Sequence, residues 1–331
     1  MVGHTVETIY FGGGTPSLLS KSELQQLLET IYVNFNVSNT PEITLEANPD
    51  DLQLKQIRDI SNTEINRLSI GIQSFFDEDL KAMNRAHSAK EAIKSLEEAS
   101  NHFSNITIDL IYGIPNMQLE KWHQNLEMAF EFDVPHISSY ALTVEPKTAL
   151  ESFIKKGTYP EMDEELSLQH FNYLITQTSE KGLVQYEISN FGKPKFFSKH
   201  NTSYWQGKPF VGIGPSAHSF NGNRRSWNIA NNAKYIKAIT QGKLPQEYEV
   251  LSTKDQYNEY VMTGLRTIWG VELTHLENKF GESYRDHFIN SSKNFMANGM
   301  LDYANAQMKA IVVTNKGKFL VDGIAAELFL I

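Results

Sequence analysis

A glycine-rich loop near the start of the chain holds the first residues that could take part in chemistry. Residues 10–17 read YFGGGTPS and follow an apolar run. Glycine adopts positive φ angles readily and lets the main chain approach a ligand without an intervening Cβ, and Thr15 adds a hydroxyl. No Gly-Lys-Ser/Thr follows and the spacing is not G-x-G-x-x-G, so the loop is neither a phosphate loop nor a dinucleotide fingerprint. The simpler alternative is a plain glycine turn.

Further polar residues lie at the ends of predicted strands. Gly12–Thr15, Glu46, Gln73 and Asp109 all fall at or just after such an end. In barrels and open α/β sheets, ligands bind at this rim. Asp109 is flanked by apolar residues, and burying a carboxylate without a partner costs several kcal/mol. We therefore expect these residues to converge on a ligand.

The elements that position these residues alternate between strands and helices. Alternating strands and helices predict a parallel sheet with right-handed crossovers. Ser20 with Glu23 is typical of a capping box at the start of the first helix, and Ser88 begins a second one. The predicted strands are 5–11, 42–47, 67–71, 105–110, 136–140 and 184–188. The predicted helices are 21–34, 52–59, 89–102, 119–132 and 161–181.

The pattern changes after residue 220. We predict a barrel domain over 1–220, a polar connector over 221–250 and a C-terminal domain over 251–331. Helices near 255–267, 274–280 and 284–298, a strand at 310–313 and a final helix indicate a small winged-helix-like unit. Thr314 is predicted to cap that final helix.

Composition limits the function. The 331 residues are 40% hydrophobic, carry a net charge of −9 and include no cysteine. The lack of cysteine excludes disulfides, thiolate metal sites and thiol nucleophiles within these residues. The negative net charge disfavours a nucleic-acid partner. No run is apolar enough to span a bilayer, and no signal peptide is evident. We expect a cytoplasmic protein, and nothing indicates peripheral association with a membrane.

An ordered set of motifs resembles the oxygen-independent coproporphyrinogen III oxidase-like family of radical S-adenosylmethionine (SAM) proteins. Within it the chain is most similar to the HemW branch, which is proposed to act as a heme chaperone. The resemblance covers essentially the whole chain. The segments that carry it are residues 9–18 (IYFGGGTPSL), 45–50 (LEANPD), 67–75 (RLSIGIQSF), 84–87 (NRAH), 108–115 (IDLIYGIP), 139–142 (SYAL), 200–205 (HNTSYW), 212–219 (GIGPSAHS) and 314–317 (TNKG).

The resemblance implies a partial (β/α)6 barrel that lacks its first βα unit. In the family that unit carries a C-x3-C-x2-C loop, which binds a [4Fe–4S] cluster with SAM as a further ligand. Two hypotheses account for its absence here. Either the sequence has lost its 5′ end, which the intact remaining motifs favour, or the chain is a paralogue without radical chemistry.

The same resemblance assigns a SAM site. Three of its positions also have a simpler interpretation: Glu46 as an acid near a helix start, Arg85 in a surface ion pair with Asp77 or Asp79, and Asp109 with a structural arginine. The residues implied to contact SAM are Gly13, Gly14 and Thr15 (amino-acid end), Glu46 (amino group or ribose), Gln73 and Arg85 (nucleoside and carboxylate), Asp109 (ribose), and Ala141 and Ala217 (adenine).

The HNTSYW segment is associated with heme in the HemW branch. An imidazole can ligate heme iron, and aromatic rings can pack on a porphyrin face. The implied heme residues are His200, as the iron ligand, with Asn201, Tyr204 and Trp205. The alternative for His200 is a histidine that is hydrogen-bonded in a polar loop. We also hypothesise that nearby lysines pair with the propionates: Lys193, Lys195, Lys199 and Lys208.

Three functions follow from these observations. The leading one is a heme chaperone that binds heme and, with a cluster, SAM; its heme acceptor is unknown. The second is oxidative decarboxylation of coproporphyrinogen III, for which a chain without cluster cysteines is expected to be inactive as it stands. The third is a barrel remnant with a purely partner-binding role. A missing βα unit would also leave an open sheet edge, so we expect reduced stability or a homo-oligomer.

Overall fold

Five parallel strands form the main sheet of the computed structural model, which describes residues 3–331. Two antiparallel strands extend it, in the order β1-β2-β3-β4-β5-β7-β6. The sixth predicted strand therefore belongs to an antiparallel hairpin, whose second strand the sequence did not predict. The strands are β1 (Val6–Phe11), β2 (Val37–Ala47), β3 (Arg67–Gln73), β4 (Ile106–Tyr112), β5 (His136–Ala141), β6 (Val184–Glu187) and β7 (Asn190–Gly192).

Helices connect the strands, and two of them start at the predicted capping boxes. Ser20 accepts from the Glu23 amide while the Glu23 carboxylate accepts from the Ser20 amide, and Ser88 and Glu91 repeat this arrangement. The helices are α1 (Lys21–Asn34), α2 (Leu54–Ser61), α3 (Asp77–Ala82), α4 (Ala89–Ser100), α5 (Leu119–Glu131), α6 (Ala149–Lys155), α7 (Glu164–Glu180) and α8 (Lys199–Trp205). Short 3₁₀ helices follow β1 (Pro16–Leu18) and β2 (Pro49–Asp51).

The two faces of the parallel sheet differ in chemistry. Side chains alternate across a strand, and one set is largely apolar, with Leu45, Ile70 and Ile108 fully buried. The opposite set is polar, and contacts between its members confirm that they share one face. We call this set the polar face: Thr8, Tyr10, Glu42, Thr44, Glu46, Arg67, Ser69, Gly71, Gln73, Thr107, Asp109, His136, Ser138 and Tyr140.

Two compact units make up the chain. One extends through His200, and the other runs from Asn201 to Ile331. The predicted connector, 221–250, lies within the second unit and is regularly folded, because two antiparallel strands and a helix occupy most of it. The remaining elements are β8 (His218–Phe220), β9 (Arg224–Asn228), α9 (Asn232–Thr240), β10 (Gln246–Val250), α10 (Thr253–Leu265), β11 (Val271–Glu272), α11 (Leu273–Phe280), α12 (Glu282–Ala297), β12 (Leu301–Tyr303), β13 (Ala310–Val313) and α13 (Val321–Glu327).

The end of the chain contains the predicted helices with a three-stranded antiparallel sheet, β11-β13-β12. The prediction that Thr314 caps the final helix is wrong. Its hydroxyl donates to the carbonyl oxygens of Gly299 and Met300, and α13 begins seven residues later after a 3₁₀ turn. Among the described residues, no helix combines the length and apolarity needed to cross a membrane.

Candidate functional site

The glycine loop after β1 is joined to Glu46 near the end of β2. One carboxylate oxygen of Glu46 accepts from the Tyr10 hydroxyl at 2.7 Å, and the other accepts from the Gly13 amide at 3.1 Å. Gly13 and Gly14 have φ angles of 75° and 65°, which favour glycine. A Cβ on Gly12 would lie 2.7 Å from the Tyr10 ring. The sequence therefore needs glycine here for both conformation and space, as the plain-turn and ligand-loop interpretations both require.

Glu46 is thus held by the loop, not by a helix start as the simpler interpretation supposed. Its two oxygens keep lone pairs for further donors, because a carboxylate accepts about four hydrogen bonds. Burial, with Glu46 second, raises the pKa of Tyr10 far above its usual value, so the phenol remains a donor. Thr15 is half-buried at the start of the 3₁₀ helix, and its carbonyl accepts from Leu18.

Gln73 ends β3 in the left-handed region, at φ 65°. The residue is 6% exposed, and its Oε1 is buried without a hydrogen-bond partner among the described residues. An unsatisfied buried amide oxygen is costly, so it indicates a place where a ligand donor would bind. A Cβ on Gly71 would meet Gln73 Nε2 at 2.9 Å and the Arg85 guanidinium at 3.2 Å. Glycine at this position lets both side chains lie over β3.

Arg85 donates to Asn48 Oδ1 at 2.9 Å. The proposed surface pairs are made by other groups: Asp79 binds Lys121 at 2.8 Å, and Asp77 accepts from the Ala89 amide. The ion-pair interpretation of Arg85 is therefore wrong.

A hydrogen-bonded chain continues from Asn48 toward the glycine loop. Asp51 accepts from Asn48 at 3.4 Å and from the Ser17 hydroxyl at 2.8 Å. Gln56 donates to the carbonyl oxygens of Ser17 and Leu19. The segments that follow β1 and β2 are thus tied to the guanidinium that follows β3.

Asp109 lies three residues before the end of β4, because that strand is longer than predicted. It is opposite Ser138 on β5 and accepts from that hydroxyl. Burial raises the pKa of Asp109 to about 7, and the Glu46 charge acts in the same direction, while Arg67 and Ser138 lower it. Asp109 therefore has arginines nearby, as its simpler interpretation expects, and a hydrogen bond from a serine. It also lies close enough to Glu46 for the two charges to interact.

The two alanines implied to contact adenine lie in different units. Ala141 is half-buried and is the last residue of β5. Ala217 is half-buried in the second unit, where its carbonyl accepts from the Asn228 amide beside β8.

A second, deeper group of polar residues lies along the polar face. Arg67 is 1% exposed; it donates to Thr107 and lies 4.0 Å from the Glu42 carboxylate. Thr107 is hydrogen-bonded to His136, whose other ring nitrogen is 2.8 Å from the Tyr186 hydroxyl. Burial, with Arg67 second, lowers the pKa of His136 well below its usual value, so this ring is neutral. The Glu42 carboxylate and the hydrogen bond to Thr107 stabilise the Arg67 charge, which would otherwise be costly to bury.

His200 is held by three residues of the first unit. Its Nδ1 is 2.9 Å from Thr8 Oγ1, its ring stacks on Tyr10 with centroids 4.5 Å apart, and its amide donates to Glu42. Burial, with a smaller effect from Arg67, lowers the pKa of His200 to about 4. The imidazole is therefore neutral near pH 7, in the first turn of α8 and not in a polar loop.

The other predicted heme residues follow in α8, within the second unit. Tyr204 packs edge-on against Phe210 at 4.5 Å, and the Arg266 guanidinium lies 5.3 Å from the Trp205 ring. Asn201 is half-buried.

Among the lysines, Lys193 forms an ion pair with Asp133. Lys195 and Lys199 are exposed in the first unit, and Lys208 is exposed in the second.

The chain fits one of the implied cofactors and not the other. For SAM, the orphaned Gln73 oxygen, the Glu46 carboxylate and the glycine loop provide acceptors, donors and space. For a [4Fe–4S] cluster, the 331 residues provide no thiolate. The described residues also contain no cluster of three or more His, Cys, Asp or Glu side chains that could hold a metal ion.

Several members of this candidate site were not predicted from the sequence. Tyr10, Asn48, Ser138 and Arg67 were not singled out. For Tyr10, Ser138 and Arg67, the available signal was the period-two alternation of polar and apolar residues within the strands.

Comparisons with known proteins agree with the resemblance. The model of the radical SAM superfamily matches residues 2–129, and that of the HemN C-terminal domain matches 251–320. The heme chaperone HemW of Bacillus subtilis is 33% identical over 318 residues, which cover 95% of this chain and 83% of that protein. The HemW of Lactococcus lactis is 35% identical over 329 residues, which cover 96% and 86%.

A solved structure shares the fold. Coproporphyrinogen III oxidase (HemN) from Escherichia coli, described as a radical SAM enzyme, superposes with a TM-score of 0.81. The match covers 99% of this chain and 78% of that one, at 22% identity. The barrel-type α/β fold predicted from the sequence is thereby confirmed.

Proposed function

Because this chain belongs to the HemW family of radical SAM proteins, we propose that it binds heme through His200 and SAM at the strand ends of the polar face. The family resemblance and the heme-chaperone class are confirmed by relatives that match nearly the whole chain. The assignment of individual residues to the two ligands is our proposal.

The geometry of His200 carries the heme part of the proposal. A histidine that ligates a metal commonly engages its other ring nitrogen with a neighbouring group, which fixes the orientation of the ring. Thr8 engages Nδ1, so coordination of heme iron would be through Nε2. The low pKa means that no proton must leave before the ring binds iron. Asn201, Tyr204 and Trp205 would complete the heme site, as the HNTSYW segment predicts.

The SAM part of the proposal rests on complementary charges and hydrogen bonds. Glu46 would accept from the ammonium group, and Arg85 would bind the carboxylate. Gln73 Oε1 would accept from the nucleoside, and Asp109 from the ribose hydroxyls. Gly13, Gly14 and Thr15 would surround the amino-acid end, while Ala141 would pack on adenine. In this superfamily, SAM beside a cluster supplies a radical; these residues provide no cluster ligand, so we derive no radical step for them.

Titration with hemin tests the heme proposal. We expect the purified chain to bind hemin saturably at one site, with a shifted Soret band. His200→Ala should lower the affinity by about tenfold or more, since even partners of a metal ligand contribute that much. His102→Ala, an exposed histidine on the same unit, is the matched control and should behave as the wild type. Equal affinities of all three proteins would rule out His200, and no saturable binding would favour the purely partner-binding role.

A further inference from the structure

Tyr10 contacts both proposed ligand sites. Its hydroxyl donates to Glu46 at 2.7 Å, and its ring stacks on His200 with an interplanar angle of 17°. Thr8, two residues earlier on the same face of β1, is hydrogen-bonded to Nδ1 of that imidazole. One rigid side chain therefore joins the carboxylate of one site to the imidazole of the other.

We propose that Tyr10 is a positioning residue that couples the two sites, so that SAM and heme bind cooperatively. This inference rests on the proposed function, since it takes Glu46 as a SAM contact and His200 as a heme contact. It adds a residue and an energetic link that neither assignment contains.

The coupling follows from how the imidazole is held. The Glu42 bond to the His200 amide fixes the main chain, and the Thr8 bond fixes Nδ1. The stacked ring of Tyr10 restricts the tilt of the imidazole plane. The phenol oxygen and the aromatic ring of Tyr10 form one rigid group. A restraint on the oxygen therefore also restrains the stacking of Tyr10 on His200.

SAM would act on the Tyr10 side chain through Glu46. An ammonium group bound to the carboxylate fixes its orientation, and the Tyr10 hydroxyl bound to the same carboxylate is fixed with it. Heme then meets an imidazole that is already ordered, and the entropy lost on binding is smaller. Linkage requires the reverse effect to be equal, so heme must raise the affinity for SAM by the same factor.

Tyr10→Phe tests the link because it keeps the stacked ring and removes only the hydroxyl. In the chain labelled with ¹⁵N-histidine, the His200 imidazole signals are identified by their loss in His200→Gln. We expect SAM to shift these signals in the wild type and to leave them in place in Tyr10→Phe. The other nine histidines report in the same spectrum that the variant is folded.

Tyr173→Phe is the matched control. This tyrosine also forms a hydrogen bond with a histidine, His123, at 2.7 Å, and it lies on α7. Its removal should leave the response of His200 to SAM unchanged.

Hemin affinity provides a second readout of the same coupling. We expect saturating SAM to tighten hemin binding by about fivefold in the wild type, and to have no effect in Tyr10→Phe. If the wild type binds both ligands independently, or if Tyr10→Phe retains the full coupling, the inference is wrong and the proposed function stands. If the wild type binds neither SAM nor hemin, both are wrong.

Discussion

At the scale of single residues, Asp109 is an acid whose environment changes its charge. Its pKa is about 7 in the folded chain, raised first by burial and then by Glu46; in an unfolded chain an aspartate has a pKa of about 3.9. When the pH lies between these two pKa values, Asp109 holds a proton in the folded state and lacks it in the unfolded state. The contribution of Asp109 to stability is therefore full below about pH 4 and is lost as the pH rises toward 7.

Comparison with Asp109→Asn isolates this effect. Buried histidines with lowered pKa, such as His136 and His170, destabilise the fold at low pH, but they are present in both proteins. We expect the difference in free energy of unfolding, wild type minus variant, to fall from pH 4 to 7 and to level off above. Urea denaturation across this range measures it. A difference that is flat with pH would show that Asp109 is ionised in the folded protein.

Residues of the candidate site could be singled out from the sequence where they lie at or near the ends of strands. Glu46 and Gln73 were recognised because parallel strands present their carboxyl ends at one rim. Tyr10 was not, because a tyrosine inside a strand usually belongs to a core. Its role depends on the partner across the sheet and on His200, 190 residues away, which no local pattern reveals.

At the scale of elements, Glu42 attaches the start of α8 to the main sheet. Its buried carboxylate accepts from the amides of Lys199 and His200 at 3.1 and 2.9 Å. These are among the amides of a helix start that have no partner within the helix. The same carboxylate lies 4.0 Å from Arg67, so one side chain neutralises a buried charge and caps a helix.

Glu42→Gln should therefore be destabilising. An amide offers one acceptor oxygen and turns an NH₂ group toward a donor, so at least one buried amide loses its partner. We expect the free energy of unfolding to fall by about 1–3 kcal/mol in urea denaturation, with faster hydrogen exchange at the start of α8. Glu64→Gln, at an exposed position, should cost nothing measurable. An unchanged unfolding midpoint for Glu42→Gln would mean that water replaces these contacts.

Which elements could be predicted depended on whether their signals are local. The capping box of Ser20 and Glu23 fixed the start of α1, and the structure has that helix over the predicted residues. The hairpin of β6 and β7 was not recognised, because its second strand has three residues and no pattern of its own. Thr314 was misassigned because a threonine before a helix usually caps it, whereas here its hydroxyl bonds back to the turn after α12.

At the scale of the whole molecule, the family and the fold were recognisable because many motifs occur in one order, although each is weak alone. The division into compact units was harder to predict. It falls within α8, at His200, where the helical pattern continues across the boundary. The polar composition of 221–250 suggested a connector, yet strand pairing between β9 and β10 can form with exposed side chains, since all five residues of β10 are exposed.

The main sheet ends at β1, which pairs with β2 on one side and has no strand on the other among the described residues. In a strand of a parallel sheet, alternate residues direct their peptide groups to opposite sides. The amide of Val6 donates to the carbonyl oxygen of Asn36, which precedes β2. Alternate residues of β1 therefore direct their peptide groups to the open side, and such an edge is a template for pairing with another chain.

We expect this chain to self-associate as its concentration rises, because edge pairing would satisfy these peptide groups. Sedimentation velocity should show a concentration-dependent shift from monomer to a larger species. Hydrogen exchange locates the interface: peptides that cover β1 should gain protection with concentration, whereas β6, the opposite edge of the sheet, serves as the internal control. A chain that sediments as a monomer throughout and melts cooperatively at high temperature would show that the β1 edge is tolerated without a partner. Equal protection of β6 would instead mean that association is not specific to β1.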